Sequence, residues 1–463
     1  MTEQLKLKLN DSKATRWGAL VIVAFTMMAA YYVNDVVAPL KTMLESDLAW
    51  TSSDFGFFTG GYSFLNVFFL MLIWGGLILD RFGIRFTGKL STILMVGGTA
   101  LEYYAMTGLA GPDAQIFGLN EIFGYKAGVF VAFAGYSIFG VGAEVAGITV
   151  SKIIAKWFRG KELATAMGVQ VALARIGSQA GYAVAIPLAR AFGISTPVLL
   201  GLVLLLGGMI AFFIFAVMDK KLDKQMEAAA IAAGTEDEEE KFSFKDVKNI
   251  LVNPGFWLIA LLCVLFYSCV FPFQKFASEL MIIKYGINEN VAGTFAGLPA
   301  LGALILTPVF GGFIDKRGKS ASIMLLGSAM LICVHFIYAI PDINYWLVAI
   351  VLMIILGIAF SLVPSAMWPA VAKIFPVSQL GTAYALIFFI QNIGLWGIPT
   401  LIGWVLDAYC ISGKKPDGTN MYDYTVPMCI FTGIACLSLI VALLLKKADK
   451  KYGYKLEEPN IQK

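Results

Sequence analysis

Gly75-Gly76-Leu77-Ile78-Leu79-Asp80-Arg81-Phe82-Gly83-Ile84-Arg85 closes one long apolar stretch and opens another. A second copy stands at Gly311-Gly312-Phe313-Ile314-Asp315-Lys316-Arg317-Gly318. In both, a glycine precedes the aspartate by four residues, a basic residue follows it at once, and a glycine comes three residues after it. Each residue type has a physical use. Glycine lets neighbouring helices pack closely. Aspartate can accept hydrogen bonds from a helix N-terminus and offset its dipole. Arginine can pair with acids across a seam, holding it shut in one state and releasing it in another. Charge placed only to orient the chain would explain the arginines, but not the spacing of the glycines and aspartates.

The chain around these copies is built for a bilayer. It is 59% hydrophobic and 14% charged, against roughly a quarter charged in a soluble domain. Stretches able to cross about 30 Å of hydrocarbon recur at 17–40, 55–79, 88–108, 127–156, 161–189, 196–218, 255–283, 290–314, 320–340, 344–373, 379–409 and 424–446. Twelve crossings put both termini on one side, and lysine and arginine choose which. Of the 35 basic residues, 27 fall on the side of the termini, while Lys41, Lys126, Arg190, Lys284, Lys414 and Lys415 fall on the other. Both termini are therefore expected in the cytoplasm. The net charge of +4 reflects this bias and points to no nucleic-acid partner. The tail before the first stretch is polar and lacks an A-x-A-like cleavage site, so that stretch reads as a retained helix. The six cysteines show no loop pairing pattern, and His335, the single histidine, reads as a packed residue. No disulfide framework, metal site, cofactor or enzyme chemistry is expected.

Residues 219–254 form the one long break, with an acidic run at Glu236–Glu240 that reads as solvated surface. They are expected to be a cytoplasmic linker between a first half, 1–218, and a second half, 255–463. The halves repeat each other. Lys156-x-Phe158, Leu163-Ala-Thr165-Ala166, Arg175-Ile-Gly177 and Gly140 recur as Lys373-x-Phe375, Leu380-Gly-Thr382-Ala383, Asn392-Ile-Gly394 and Gly357, all offset by 217 residues. Odd stretches map to odd ones, so the repeat is parallel, about an axis along the membrane normal. The paired Gly-Asp-Arg motifs, twelve spans and long linker resemble the major facilitator superfamily. The resemblance implies an all-α membrane protein of twelve transmembrane helices in two pseudo-symmetric six-helix halves that rock around a central site. Asp80, Arg81, Gly83, Arg85, Asp315 and Arg317 would then form a cytoplasmic gate.

The site should be lined by polar residues inside the spans. Glu144 and Arg175 stand near the middle of consecutive spans, where a charge costs at least about 2.5–3.5 kcal/mol. One acid and one base suit a zwitterion, the acid taking an ammonium and the base a carboxylate. By the 217 offset their counterparts are Ser361 and Asn392, so the charge lies in one half. Asp35, Tyr62, Trp368 and Gln391 are further candidates for binding substrate, with Asn34, Ser63, Asn66 and Tyr384 beside them. A structural salt bridge between Glu144 and Arg175 is the plainer alternative. Glu102 reads equally as a satisfied packing carboxyl or a proton relay. Lys275 and Glu279, one turn apart, read as an intrahelical pair or an outer gate.

A narrower resemblance rests on Gly140-x-Gly142-x-Glu144, Trp157-Phe158-x-Gly160-Lys161-Glu162-Leu163, Ala174-Arg175-Ile176-Gly177-Ser178, Ala366-Met367-Trp368-Pro369 and Ile390-Gln391-Asn392-Ile393-Gly394-Leu395. These are similar to the major facilitator superfamily domain-containing protein 1 group, which includes a lysosomal dipeptide uniporter. The resemblance implies transport of dipeptides or short peptides, with the group's ligand-contacting acid and arginine falling on Glu144 and Arg175. The tail lacks an acidic dileucine, and the outer loops lack Asn-x-Ser/Thr. The expected setting is therefore a bacterial cytoplasmic membrane, with the chain acting as a monomer without a glycoprotein subunit. Other carriers compare less well. A nitrate or organophosphate carrier wants bases in both halves, and the first span lacks the Glu-rich motif of proton-coupled peptide carriers. A proton-coupled carrier of a sugar, organic acid or drug stays open, since Asp35, Glu102 and Glu144 could titrate. A receptor or scaffold would not need two gate motifs.

Overall fold

The computed structural model describes residues 8–111, 114–158, 161–233 and 244–459; the acidic run Glu236–Glu240 lies outside them. Helices come in the order α1 (Lys13–Val36), α2 (Lys41–Leu48), α3 (Ser52–Phe68), α4 (Met71–Thr107), α5 (Ala127–Trp157), α6 (Leu163–Phe192), α7 (Thr196–Ala233), α8 (Phe244–Val252), α9 (Pro254–Tyr285), α10 (Glu289–Ala296), α11 (Leu298–Arg317), α12 (Ser320–Ala339), α13 (Trp346–Ile374), α14 (Val377–Tyr409) and α15 (Thr425–Tyr452). Two short antiparallel hairpins interrupt them: β1 (Glu121–Ile122) with β2 (Tyr125–Lys126), and β3 (Ile411–Lys414) with β4 (Asn420–Tyr422).

Among the described residues nine helical segments are long and apolar enough to cross a membrane, and α3 with α4 passes as a pair bent by 58°. The remaining crossings follow from the backbone. α4 is two spans joined at Gly83, whose φ of 73° and ψ of 175° break the helix. Gly318 ends α11 with φ 71°. Only glycine takes such angles readily, which is why both motifs carry it three residues after the aspartate. α6 misses the apolar test because Gln170, Arg175 and Gln179 interrupt it, yet it packs along α1 inside the bundle. Spans two and three are thus α3 with the start of α4, then the rest of α4; α10 with α11 makes span eight, and twelve crossings result.

The repeat is visible in the packing. A Cβ on Gly140 would lie 2.0 Å from the Tyr62 carbonyl oxygen, and one on Gly357 would lie 3.2 Å from the Pro299 Cα. Span four therefore rides on span two as span ten rides on span eight. Gly177 likewise abuts the Met28 carbonyl, and Gly394 abuts Ser268 and Val264, pairing span five with one and eleven with seven.

The two motif glycines differ in their surroundings. No atom stands within 4 Å of a Cβ on Gly83, whereas one on Gly318 would lie 2.4 Å from the Glu457 carbonyl oxygen. The stretch after α15 docks there. Lys319 N–H donates to the Glu457 carbonyl at 3.1 Å and Ser320 N–H to that of Leu456 at 3.0 Å. Ser322 N–H donates to the Glu457 carboxylate at 2.8 Å. Gly83→Ala is therefore expected to cost about 1–3 kcal/mol from backbone strain alone. Gly318→Ala should cost clearly more, because it adds a backbone clash. Thermal unfolding of both variants in detergent checks this, and equal losses would refute the packing account.

One face of the seam is sealed. Gly56 of α3 meets Gly403 of α14, Gly60 meets the Trp396 carbonyl, and Gly293 of α10 meets the Tyr182 carbonyl of α6. On the basic face Asp80 and Arg85 of the first motif pair within their own half. Asp80 pairs with Lys152 at 3.0 Å, and Arg85 with Asp223 at 2.7 Å and Asp219 at 3.7 Å, all within the first half. Among the described residues Arg81 and Arg85 form no ion pair with an acid of the second half. Lys156 joins the same cluster at 2.8 Å from Asp219. Arg16 pairs with Glu162 at 2.8 Å and Lys161 with Asp11 at 2.9 Å. Asp11 and Glu162 precede α1 and α6, and the partner cations hold both below the usual carboxylate range.

Candidate functional site

Glu144 on α5 and Arg175 on α6 are both half-buried near the middle of the bundle. Among the described residues they form no ion pair with each other. Glu144 Oε1 accepts a hydrogen bond from the Tyr62 hydroxyl at 3.0 Å. The Arg175 guanidinium stands over two rings, 5.6 Å from the centroid of Tyr31 and 4.9 Å from that of Phe360. The structural salt bridge is thus absent in this conformation, and an acid and a base face one region with capacity to spare.

Phe360 belongs to the second half, which supplies an aromatic wall. Phe360 meets Phe271 edge-on at 5.3 Å and Tyr267 at 6.2 Å, and those two rings stack at 5.4 Å. Trp368 stacks on Phe388 at 4.8 Å and meets Tyr384 at 5.8 Å, while the Tyr384 hydroxyl donates to the Trp368 carbonyl at 3.0 Å. Asn392 is buried; its Nδ2 donates to the Phe388 carbonyl at 2.9 Å, and its Oδ1 has no partner among the described residues. Ser361 and Gln391 are turned into the packing. The Ser361 hydroxyl donates to the Gly357 carbonyl of its own helix at 2.7 Å, and Gln391 accepts from the Cys263 thiol at 3.4 Å.

Asp35 stands at the seam instead of free in the site. Lys275 Nζ lies 3.0 Å from Asp35 Oδ1 and 2.6 Å from the Asn34 carbonyl oxygen, and the Tyr136 hydroxyl donates to that same carbonyl at 2.7 Å. Glu279 is not the partner of Lys275 either. It binds Lys41 and the Tyr424 hydroxyl, with Lys415 at 3.3 Å. Lys41 also reaches Glu45 at 2.5 Å, and Lys415 reaches Glu45 at 3.4 Å. The one-turn pairing expected within α9 loses because the closed seam offers each charge a buried opposite charge on the other half. Lys41 and Glu279 are each 1% exposed. The result is two groups of ion pairs across the sealed seam, Asp35–Lys275 and the Lys41–Glu45–Glu279–Lys415 cluster.

Tyr31, Phe360 and Tyr267 were not singled out from sequence. A signal existed for Tyr31, which stands one turn before Asp35 on a helix. Nothing distinguished Phe360 and Tyr267 from ordinary apolar packing. Glu102 is wholly buried, and neither of its carboxylate oxygens has a partner among the described residues, so it is not a satisfied packing carboxyl. His335 packs between Phe273 and Phe431.

A family profile described as Major Facilitator Superfamily matches residues 20–399 and 276–458. The lysosomal dipeptide transporter MFSD1 of Homo sapiens is 29% identical over 455 residues, covering 95% of this chain and 88% of that protein. The protein of the same name from Gallus gallus is 33% identical over 287 residues, 59% of this chain and 62% of its own length. Among solved structures, the nucleoside transporter NupG superposes with a TM-score of 0.68 at 12% identity, covering 92% of this chain and 98% of the other. A peptide transporter POT in complex with sulfate superposes with a TM-score of 0.66 at 15% identity, covering 95% and 96%. At such identities the structural matches speak for the fold alone.

Proposed function

The chain belongs to the Major Facilitator Superfamily, and from that premise we propose that it carries dipeptides or other short zwitterionic peptides by alternating access. It is a multi-pass membrane transporter and not an enzyme. What supports the peptide reading is the separation of Glu144 from Arg175. Among the described residues the acid is engaged by a tyrosine hydroxyl and the base by rings, and the two can take the two ends of a peptide. The Trp368, Tyr384 and Phe388 rings of the second half can flank its body. The similarity to proteins named dipeptide transporters agrees with this.

The lysine and arginine bias supports a cytoplasmic basic face and cytoplasmic termini, and under that orientation this conformation is inward-open. The expected bacterial membrane gains no support from the relatives, whose names place them in the lysosome. Monomeric action without an accessory subunit remains part of the proposal.

Uptake by purified protein in liposomes, with dipeptide, amino-acid and sugar panels, tests the substrate class. Movement of a sugar with no dipeptide uptake would overturn it. Glu144→Gln is expected to weaken dipeptide binding about tenfold to a hundredfold, the worth of a charged hydrogen bond. A second reading, proton-linked transport, is favoured by the unpartnered Glu102 carboxyl, a group suited to gaining and losing a proton during the cycle. Under it an inward proton gradient speeds wild-type uptake, and Glu102→Gln removes that acceleration. Uptake indifferent to the gradient leaves the facilitative reading.

A further inference from the structure

We propose that Phe360 is a ligand-sensing tie between the halves, holding the Arg175 guanidinium while the site is empty and yielding it to an incoming carboxylate. Arg175 lies on α6 of the first half and Phe360 on α13 of the second, so their contact at 4.9 Å crosses the seam. Tyr31, the other ring under the guanidinium, belongs to the first half and ties nothing across. Phe360 is 2% exposed and braced edge-on by Phe271 and Tyr267. Its face is therefore presented in a set orientation and cannot follow a departing partner. Arg175 has no acid within ion-pair distance among the described residues, and the Phe360 ring is a contact it makes with the opposite half.

A cation over a ring is held more weakly than a guanidinium in a two-pronged pair with a carboxylate. A ligand carboxylate therefore displaces the ring and removes one contact across the seam. Occupancy and half-to-half attachment become linked, because the ligand favours the arrangement in which the tie is broken. The linkage carries a cost: affinity is reduced by whatever the empty-state contact contributes. Phe360 is thus a positioning residue that acts through Arg175 and opposes binding.

The ligand arm rests on the peptide reading; the seam arm does not. Phe360→Leu keeps an apolar side chain and removes the ring face, while Phe360→Tyr keeps the face. In nanodiscs, Phe360→Leu is expected to lower the dipeptide Kd about fivefold, with Phe360→Tyr at the wild-type value. A Kd raised by Phe360→Leu would overturn the proposal, since the ring would then be contacting ligand. The second readout needs no ligand. Spin labels replace the exposed Lys221 and Lys447, after the exposed Cys333, Cys429 and Cys436 have been exchanged for serine. Phe360→Leu should broaden the distance distribution between the two halves in empty protein, and Phe360→Tyr should not. An unchanged distribution would also overturn the proposal. If wild type binds no dipeptide, the peptide reading falls alone, and the empty-state distances still decide the tie.

Discussion

Arg175→Ala is expected to abolish the proposed dipeptide uptake in liposomes, while the ligand-free variant keeps its melting temperature to within a few degrees. The two halves of this result have separate causes. Truncating one partner of a desolvated charge pair costs about 2–5 kcal/mol of binding, or roughly thirtyfold to several thousandfold in Kd. The fold loses much less. Arg175 has no acid partner whose charge would be orphaned, since Glu144 keeps its hydrogen bond from Tyr62. What disappears is contact with two rings, about 1–2 kcal/mol. Arg175→Lys should fall between, because the ammonium keeps the charge and loses the planar fork. Uptake assays paired with thermal unfolding of the empty protein decide the matter. A steep loss of melting temperature with uptake retained would assign Arg175 to architecture.

Glu279→Gln is expected to have the largest effect on conformation. Lys41 and Glu45 come from the first half, and Glu279, Lys415 and Tyr424 from the second. All are near or below the surface of the sealed face. Removing one charge from a buried pair costs about 3–5 kcal/mol, because the remaining charge is left uncompensated. Here Lys41 and Lys415 would share Glu45 alone. The loss falls only on the state in which this seam is closed, so the balance shifts toward opening there by on the order of 10²–10³-fold. Distances measured between labels on the outer ends of the halves should lengthen in the variant. A distribution identical to wild type would show that the helix crossings at Gly56, Gly60 and Gly293 hold the seam without the cluster.

Much of the architecture was legible in the sequence because it depends on local properties. Apolar length reports a span, lysine and arginine bias reports its direction, and a repeated motif reports the duplication. The glycines at 83 and 318 stood out by their spacing, but they read as helix-packing residues, and the structure uses them for turns with positive φ. Glu144 and Arg175 stood out for a similar reason: a charge in an apolar stretch is costly wherever the helix packs. Misreadings came where a residue had a choice of partners. Lys275 and Glu279 are neighbours on one helix, yet each is satisfied by a residue of the first half, Asp35 at 240 positions' remove and Lys41 at 238. Arg85 made the opposite choice and stayed within its half. Ser361, the counterpart of Glu144, spends its hydroxyl on its own helix.

The sequence by itself determined the class of molecule, the twelve crossings, the parallel repeat and the one-sided placement of charge. These follow from residue type, spacing and transfer free energy along a single chain. Only the tertiary structure decided which face is sealed, that Glu144 and Arg175 stand apart, and that Phe360 lies under the guanidinium. Those outcomes depend on how two helix bundles meet, and a charge in a bilayer takes whichever partner that meeting leaves within reach.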